Sequence, residues 1–242
     1  LPMDSSKWSP LDALTDAQRE KLRAYESHLL QLNQKMNLVS PATEADAATV
    51  HVLHSLTLLY RSFPPGSVVV DWGTGGGLPA IPLAICCPDV TVHAIDSVGK
   101  KVRAVRTMAR RLELDNCFPW HGRADAWPGT AHYSVSRATA PLRTLWRWHA
   151  RVASPENITV GMGDWAPGLL CLKGGDLSDE IATLFAEDGN VCVDQYRLRA
   201  LLDPGDAIGQ DKQLVGVFST QHTPPLVAQH GSSGVSAARS AS

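Results

Sequence analysis

The residues best placed to do chemistry lie in one run, Val68-Val-Val-Asp71-Trp-Gly73-Thr-Gly75-Gly76-Gly77-Leu78-Pro79, where an apolar strand-like segment turns through glycines into a helical one. Glycines permit positive φ and let backbone approach a ligand, and a helix start offers unpaired N–H groups. Two cofactor classes use such a turn. The dinucleotide spacing GxGxxG fails, because counting from Gly73 its third glycine falls at Leu78. What stands instead is a GxGxG spacing with an acidic residue, Asp71, two positions before the first glycine. A second carboxylate, Asp96, closes the next strand candidate, where it can accept both ribose hydroxyls of a nucleoside lying across the sheet edge. Capping the helix that follows is compatible with that role. Gly122-Arg123-Ala124-Asp125 follows the third strand candidate, where an adenine ring would be reached, and Asp125 either accepts from its exocyclic amine or caps a helix.

These groups need a scaffold that brings strand ends together. Apolar residues recur at helical spacing from Thr15 to about Lys35, with Thr15 or Asp16 as N-cap, and Pro41 stops that run. A second helix is expected from about Thr43 to Tyr60, and Pro64-Pro65-Gly66 marks a boundary. Beyond it, strands at 68–71, 90–96, 117–121, 133–136 and 169–173 alternate with helices from Pro79, at 99–112, 142–152 and 177–186. Two last strands, 191–196 and 212–219, have no helix between them and predict an antiparallel hairpin at one edge. The expectation is an α/β fold, a mostly parallel sheet with helices on both faces. Its domains are an N-terminal helical extension (1–65), a sheet domain (66–222) and a low-complexity tail (223–242) expected to be disordered.

Composition narrows the classes. A chain of 242 residues, 44% apolar and 19% charged, can bury a full core, which excludes disorder and coiled coil. The longest near-apolar run, Leu78 to Cys87, is ten residues broken by prolines, against the roughly 20 a bilayer span needs. No basic-then-apolar leader opens the sequence, and a cytoplasmic protein is expected. The five cysteines form no CxxC pair, and the histidines, His51, His54, His121, His132 and His149 among them, show no metal spacing; both sets are expected to be structural, with no metal. The net charge of −2 conceals a basic stretch: Val98 to Arg151 holds eleven Lys and Arg against three acids, a net +8 that can attract phosphate or simply solvate helix faces.

The glycine turn resembles the first motif of S-adenosylmethionine-dependent methyltransferases, in which the methionine moiety lies over the turn. A more specific resemblance runs along the chain. Asn33-x-x-Met36-Asn37-Leu38, Asp71-x-Gly-Thr-Gly-Gly-Gly-Leu-Pro79-x-Ile-Pro82-Leu-Ala, Asp96-Ser-x-x-Lys100-Lys101, Gly122-Arg123-Ala124, Ser136-Arg137-Ala138-x-Ala140-Pro141-Leu142 and Leu172-Lys173-Gly174 occur in that order. Together, from roughly Thr15 to Ile181, they resemble the bacterial small-subunit (16S) ribosomal RNA guanine-N7 methyltransferases, the glucose-inhibited division protein B family. The resemblance implies a class I, Rossmann-like methyltransferase fold with an N-terminal helical extension, S-adenosylmethionine as cofactor, and a guanine of small-subunit RNA or the 30S particle as substrate; a monomer is expected. It places the cofactor on Asp71, Gly73, Gly75, Gly77, Leu78, Asp96, Ser97, Arg123, Ala124, Asp125 and Arg137. Arg123, Arg137, Lys100, Lys101 and Lys173 are the candidate RNA contacts.

Arg137, ending the fourth strand candidate, is the candidate catalytic residue, since a planar guanidinium can stack on a base or grip phosphate; the other role open to it is a structural ion pair. Lys173, ending the fifth, has the same choice. The chain departs from the family pattern twice. His51-Val-Leu-His54-Ser55 puts an imidazole where the family has an aspartate, and from Lys212 onward Lys212 and Arg239 are the only Lys or Arg in place of a basic C-terminal segment. A small-molecule methyltransferase and a catalytically lapsed RNA- or ribosome-binding protein therefore stay open as alternatives.

Overall fold

The computed structural model describes residues 8–36, 38, 47–137, 139–202, 208 and 211–220. The expected helix start at Thr43, the motif residues Asn37 and Ala138, and the expected tail at 223–242 lie outside the described residues. The first helix, α1 (Asp16–Met36), begins at a capping box: the Gln18 N–H donates to Thr15 Oγ1 at 3.3 Å, and the Thr15 N–H donates to Gln18 Oε1 at 2.9 Å. Its Leu22, Tyr25 and Leu29 are buried, as the helical period requires. Helix α2 (Ala47–Leu56) runs into a 3₁₀ turn at Thr57–Tyr60.

The sheet domain follows as β1 (Val68–Trp72), α3 (Ala80–Cys86), β2 (Thr91–Asp96), α4 (Gly99–Arg111), β3 (Cys117–His121), β4 (Tyr133–Arg137), α5 (Leu142–Val152), β5 (Gly168–Gly174), α6 (Ser178–Glu187), β6 (Val191–Arg197), α7 (Leu198–Leu201) and β7 (Lys212–Ser219). The seven strands lie in the order β3-β2-β1-β4-β5-β7-β6. The first five are parallel, and β7 runs antiparallel to both β5 and β6. The hairpin expected at one edge is there, folded back so that its second strand, not its first, pairs with β5. A short helix, α7, stands where the sequence predicts none, because four residues are too few to display a helical period; its Leu198 is fully buried.

Alternation along β1 divides the core in two. Val69 faces the layer formed with α1 to α4, while Val70 and Trp72 face the layer formed with α5 and α6. Tyr25, Leu29, Leu56 and Leu58 share the first layer with Val69 and Ala94, so the N-terminal extension is part of the sheet's own core. Among the described residues no helix is long and apolar enough to cross a membrane, and no cluster of three metal-ligating side chains occurs.

Buried titratable groups make stability depend on pH. Burial holds His149, whose Nδ1 lies 3.0 Å from Ser134 Oγ, at about 4, and holds His54 at about 3. A histidine lowered on folding binds its proton first in the unfolded chain. Its stabilisation is therefore present above about pH 6.5 and is lost as pH falls toward 4, at about 1.4 kcal/mol per pH unit for each group. Asp71, pushed up to about 7 by burial, acts in the opposite sense and costs stability as pH rises from its ordinary range toward 7. The contribution of His149 is isolated by His149→Gln, in which the urea midpoint should fall less steeply between pH 6.5 and 4.5 than in the parent. Equal slopes in parent and variant would contradict the burial of that imidazole.

Candidate active site

The C-terminal ends of β1, β2 and β4 open onto one cavity of about 490 Å³, within the roughly 300–1,000 Å³ common for small-ligand sites. It sits where strand order reverses around β1, the position at which open α/β sheets take ligands. Its walls include Gly73, Thr74, Gly75, Gly76 and Leu78 of the turn, Asp96, Ser97, Val98 and Lys101 from the β2–α4 junction, Gly122 to Asp125 after β3, and Arg137 and Thr139 after β4.

The turn is held from several sides. The Gly73 and Thr74 N–H groups both donate to the Ile95 carbonyl at 2.9 Å, tying the turn to β2. Gly73 has φ +73°, and a Cβ there would come 2.3 Å from Thr139 Cγ2, so threonine packing fixes the glycine. Gly75 has φ +58° with no atom closer than 3.9 Å to a Cβ position, so a side chain there would project into open space at the cavity wall. From α1, Tyr25 donates its hydroxyl to the Gly76 carbonyl at 2.9 Å. Asp71 and Gly77, expected against the ligand, are not among the residues that line the cavity. Asp71 lies fully buried behind the turn, where Oδ2 accepts the Ala80 N–H at 3.2 Å and fixes the start of α3, while Gly77 sits against Ile81. Burial raises the Asp71 carboxyl more than Thr74, the Ala80 N–H and the Arg137 charge lower it. Thr74 is buried on the cavity wall, with its hydroxyl turned toward the Asp71 carboxyl.

Asp96 is nearly buried at the end of β2. Oδ2 accepts the Gly75 N–H at 3.0 Å and Oδ1 accepts the Val98 N–H at 2.8 Å, so one carboxylate joins the glycine turn to the approach of α4 and keeps lone pairs facing the cavity. Asp125 takes a bidentate ion pair from exposed Arg123, at 3.0 and 2.8 Å, which holds the carboxyl below its usual range. The loop they sit on is anchored by Arg151, which donates to the Trp127 and Ala124 carbonyls.

Arg137 ends β4 on the cavity wall, and its Nη1 lies 2.7 Å from Nδ1 of His51 on α2. Burial, then the charges of Arg137 and Lys212, push His51 down to about 4. The same causes act on His54, with His51 adding to them. The histidines expected to be purely structural thus include one that meets the candidate catalytic arginine. His51 and Leu38 stand in motifs the sequence offers, but nothing local pairs His51 with Arg137, 86 positions away, or brings Leu38 to the cavity, and no motif marks Thr139 or Trp148, which also line it.

Lys173 is not brought to the cavity. It is 7% exposed, and its Nζ donates to Glu180 Oε2 at 2.6 Å and to the Ala140 carbonyl at 2.8 Å. The same Glu180 oxygen accepts the Leu142 N–H at 2.8 Å, so the lysine pins β5 to the starts of α5 and α6 in the structural ion pair that was the other role open to it. Lys100 points outward on α4 with Arg103, Arg106, Arg110 and Arg111, all exposed, and α4 contains no acid. Of the other basic residues in that stretch, Arg123 pairs with Asp125 and Arg147 with Glu187. The +8 stretch therefore resolves mainly into one helix face that starts at the cavity rim with Lys101.

Residues 18–185 match the model of a family described as rRNA small subunit methyltransferase G. The chain is 58% identical over 219 residues to the ribosomal RNA small subunit methyltransferase G of Salinibacter ruber, covering 90% of this chain and all of that protein. It is 40% identical over 170 residues to the protein of the same name from Christiangramia forsetii, covering 70% of this chain and 79% of that one. In three dimensions it resembles a geranyl diphosphate methyltransferase with a TM-score of 0.53 at 13% identity, over 85% of this chain and all of that one, a likeness of fold.

Proposed function

Because this chain belongs to the rRNA small subunit methyltransferase G family, we propose that it transfers a methyl group from S-adenosylmethionine to N7 of a guanine in small-subunit ribosomal RNA. The observation that carries this reading is the convergence on one cavity of the glycine turn, the Asp96 carboxylate and the Arg137 guanidinium. The residues present fit the cofactor. Asp96 would accept from ribose hydroxyls, and Ser97, Ala124 and Asp125 would border the adenine. Gly73, Gly75, Leu78 and Thr74 would take the methionine portion. Bound S-adenosylmethionine supplies an electrophilic methyl group on a sulfonium. The work of the chain is binding and orientation. Guanine N7 carries an in-plane lone pair and no proton, so no side chain has to act as a base. Holding the base in line is worth up to about 7–11 kcal/mol. Arg137 is the residue assigned to that task, by stacking on the base or gripping its phosphate.

The RNA approaches along α4, from Lys101 at the rim past Lys100, Arg103 and Arg110, with Arg123 across the cavity mouth. In this reading the protein works as a cytoplasmic monomer. Each phosphate contact releases counterions, so apparent affinity for RNA should fall with salt, and Arg103→Glu with Arg110→Glu should reduce the log–log slope by roughly 1.5. A flat salt response would contradict the track and favour a small-molecule substrate.

The decisive experiment is incubation of the protein with labelled S-adenosylmethionine and small subunits lacking the modification, followed by digestion to nucleosides. The expected product is 7-methylguanosine. No incorporation, or label in another nucleoside, would overturn the reading. Free RNA in a parallel reaction shows whether the assembled particle is required.

A further inference from the structure

We infer that His51, on the N-terminal helical extension, is a positioning residue that aims the Arg137 guanidinium at the substrate; the inference rests on the reading of Arg137 proposed above. The contact is a 2.7 Å hydrogen bond between Arg137 Nη1 and His51 Nδ1. A guanidinium only donates, so Nδ1 carries the lone pair and the ring proton sits on Nε2. The surroundings keep His51 in that state: burial first, then Arg137 from β4 and Lys212 from β7, disfavour its imidazolium, and the same causes hold the neighbouring His54 neutral. None of the ion pairs among the described residues involves Arg137.

A neutral acceptor differs from a carboxylate in one useful respect. It fixes the direction of the guanidinium without cancelling its charge, so the remaining N–H groups and the full positive charge face the cavity that Arg137 lines. The acceptor is itself well placed: the His51 carbonyl accepts the Ser55 hydroxyl at 2.9 Å, within the last turn of α2. α1 grips the cofactor turn through Tyr25 and Gly76, while α2 grips the substrate residue through His51. The extension therefore braces both halves of the reaction site from one side.

The test is a double-mutant cycle on small subunits. His51→Leu should lower kcat by about 10- to 100-fold, since a misplacement of about 1 Å can cost that much, while leaving S-adenosylmethionine affinity within about twofold. His51→Asn offers a carbonyl oxygen near the Nδ1 position and should recover most of the loss. In an Arg137→Ala background His51→Leu should cost nothing further, because residues acting through one another are not additive. Multiplicative effects, or full activity of His51→Leu, would overturn the inference. A second readout needs no turnover: in the full chain, the His51 titration followed by NMR should move up in Arg137→Ala, where the neighbouring charge is gone. An unmoved titration would also overturn the inference, and it does so whether or not the wild-type protein methylates RNA, so a failure of the proposed reaction is told apart from a failure of the contact.

Discussion

Replacing Asp96 by alanine is expected to weaken S-adenosylmethionine binding by about 10- to 150-fold, the equivalent of roughly 1.5–3 kcal/mol for hydrogen bonds to a charged acceptor. The carboxylate does two things at once. It offers lone pairs to ribose hydroxyls at the cavity wall, and it already accepts the Gly75 and Val98 N–H groups, which keeps the turn and the β2–α4 junction in register. Asp96→Asn retains the shape and one acceptor oxygen, so it should fall between alanine and the parent. Gly75→Val attacks the same site from the other side. At φ +58° a β-branched residue is strained, and its side chain would stand in the open space at the cavity wall. Both variants should keep cooperative unfolding, since neither residue belongs to the apolar core. Calorimetric titration decides the matter, and if both variants bind like the parent the pocket assignment is wrong.

The fold was legible because its strands are short β-branched runs bounded by glycine, proline and helical periods, and each of the main elements from β1 to β7 lies within two residues of where the sequence places it. The same legibility reached the turn: a run of glycines between Val68-Val-Val-Asp71 and Pro79 has few structural meanings. What the sequence does not carry is direction. Asp71 sits in an apolar run and so reads as a strand residue near the ligand, yet full burial turns it behind the turn, toward the Ala80 N–H. Lys173 ends a strand at the same level as Arg137, but a carboxylate seven residues on, at the start of α6, draws it inward. His51 and Arg137 meet because α2 crosses the end of β4, a tertiary fact that no local spacing encodes. Side chains at strand ends are placed by what the neighbouring helices offer, which is why the site's outline is readable and its pairings are not.

Arg137→Ala should lower turnover on small subunits by about 100-fold or more while S-adenosylmethionine binds almost normally, because the partner proposed for this guanidinium is the RNA. Removal of half-buried cationic charge also acts locally. Arg137 lowers the Asp71 carboxyl, so without it Asp71 should hold its proton to higher pH. Arg137→Lys separates the two ways an arginine can serve. An ammonium pairs with phosphate but has no flat face, so substantial recovery would assign a phosphate contact and no recovery would assign stacking on the base. With cofactor saturating, kcat should be flat from about pH 6 to 9. N7 needs no deprotonation, and His51 and His54, at about 4 and about 3, stay neutral throughout. Cofactor affinity has a different profile. Asp71, at about 7, ionises within that window, and an anion behind the turn favours a sulfonium ligand, so binding should tighten as pH rises through 7. A kcat profile that is bell-shaped and loses its acid limb in His54→Gln would sink the account of a reaction without a general base, and would make an imidazole the catalytic group.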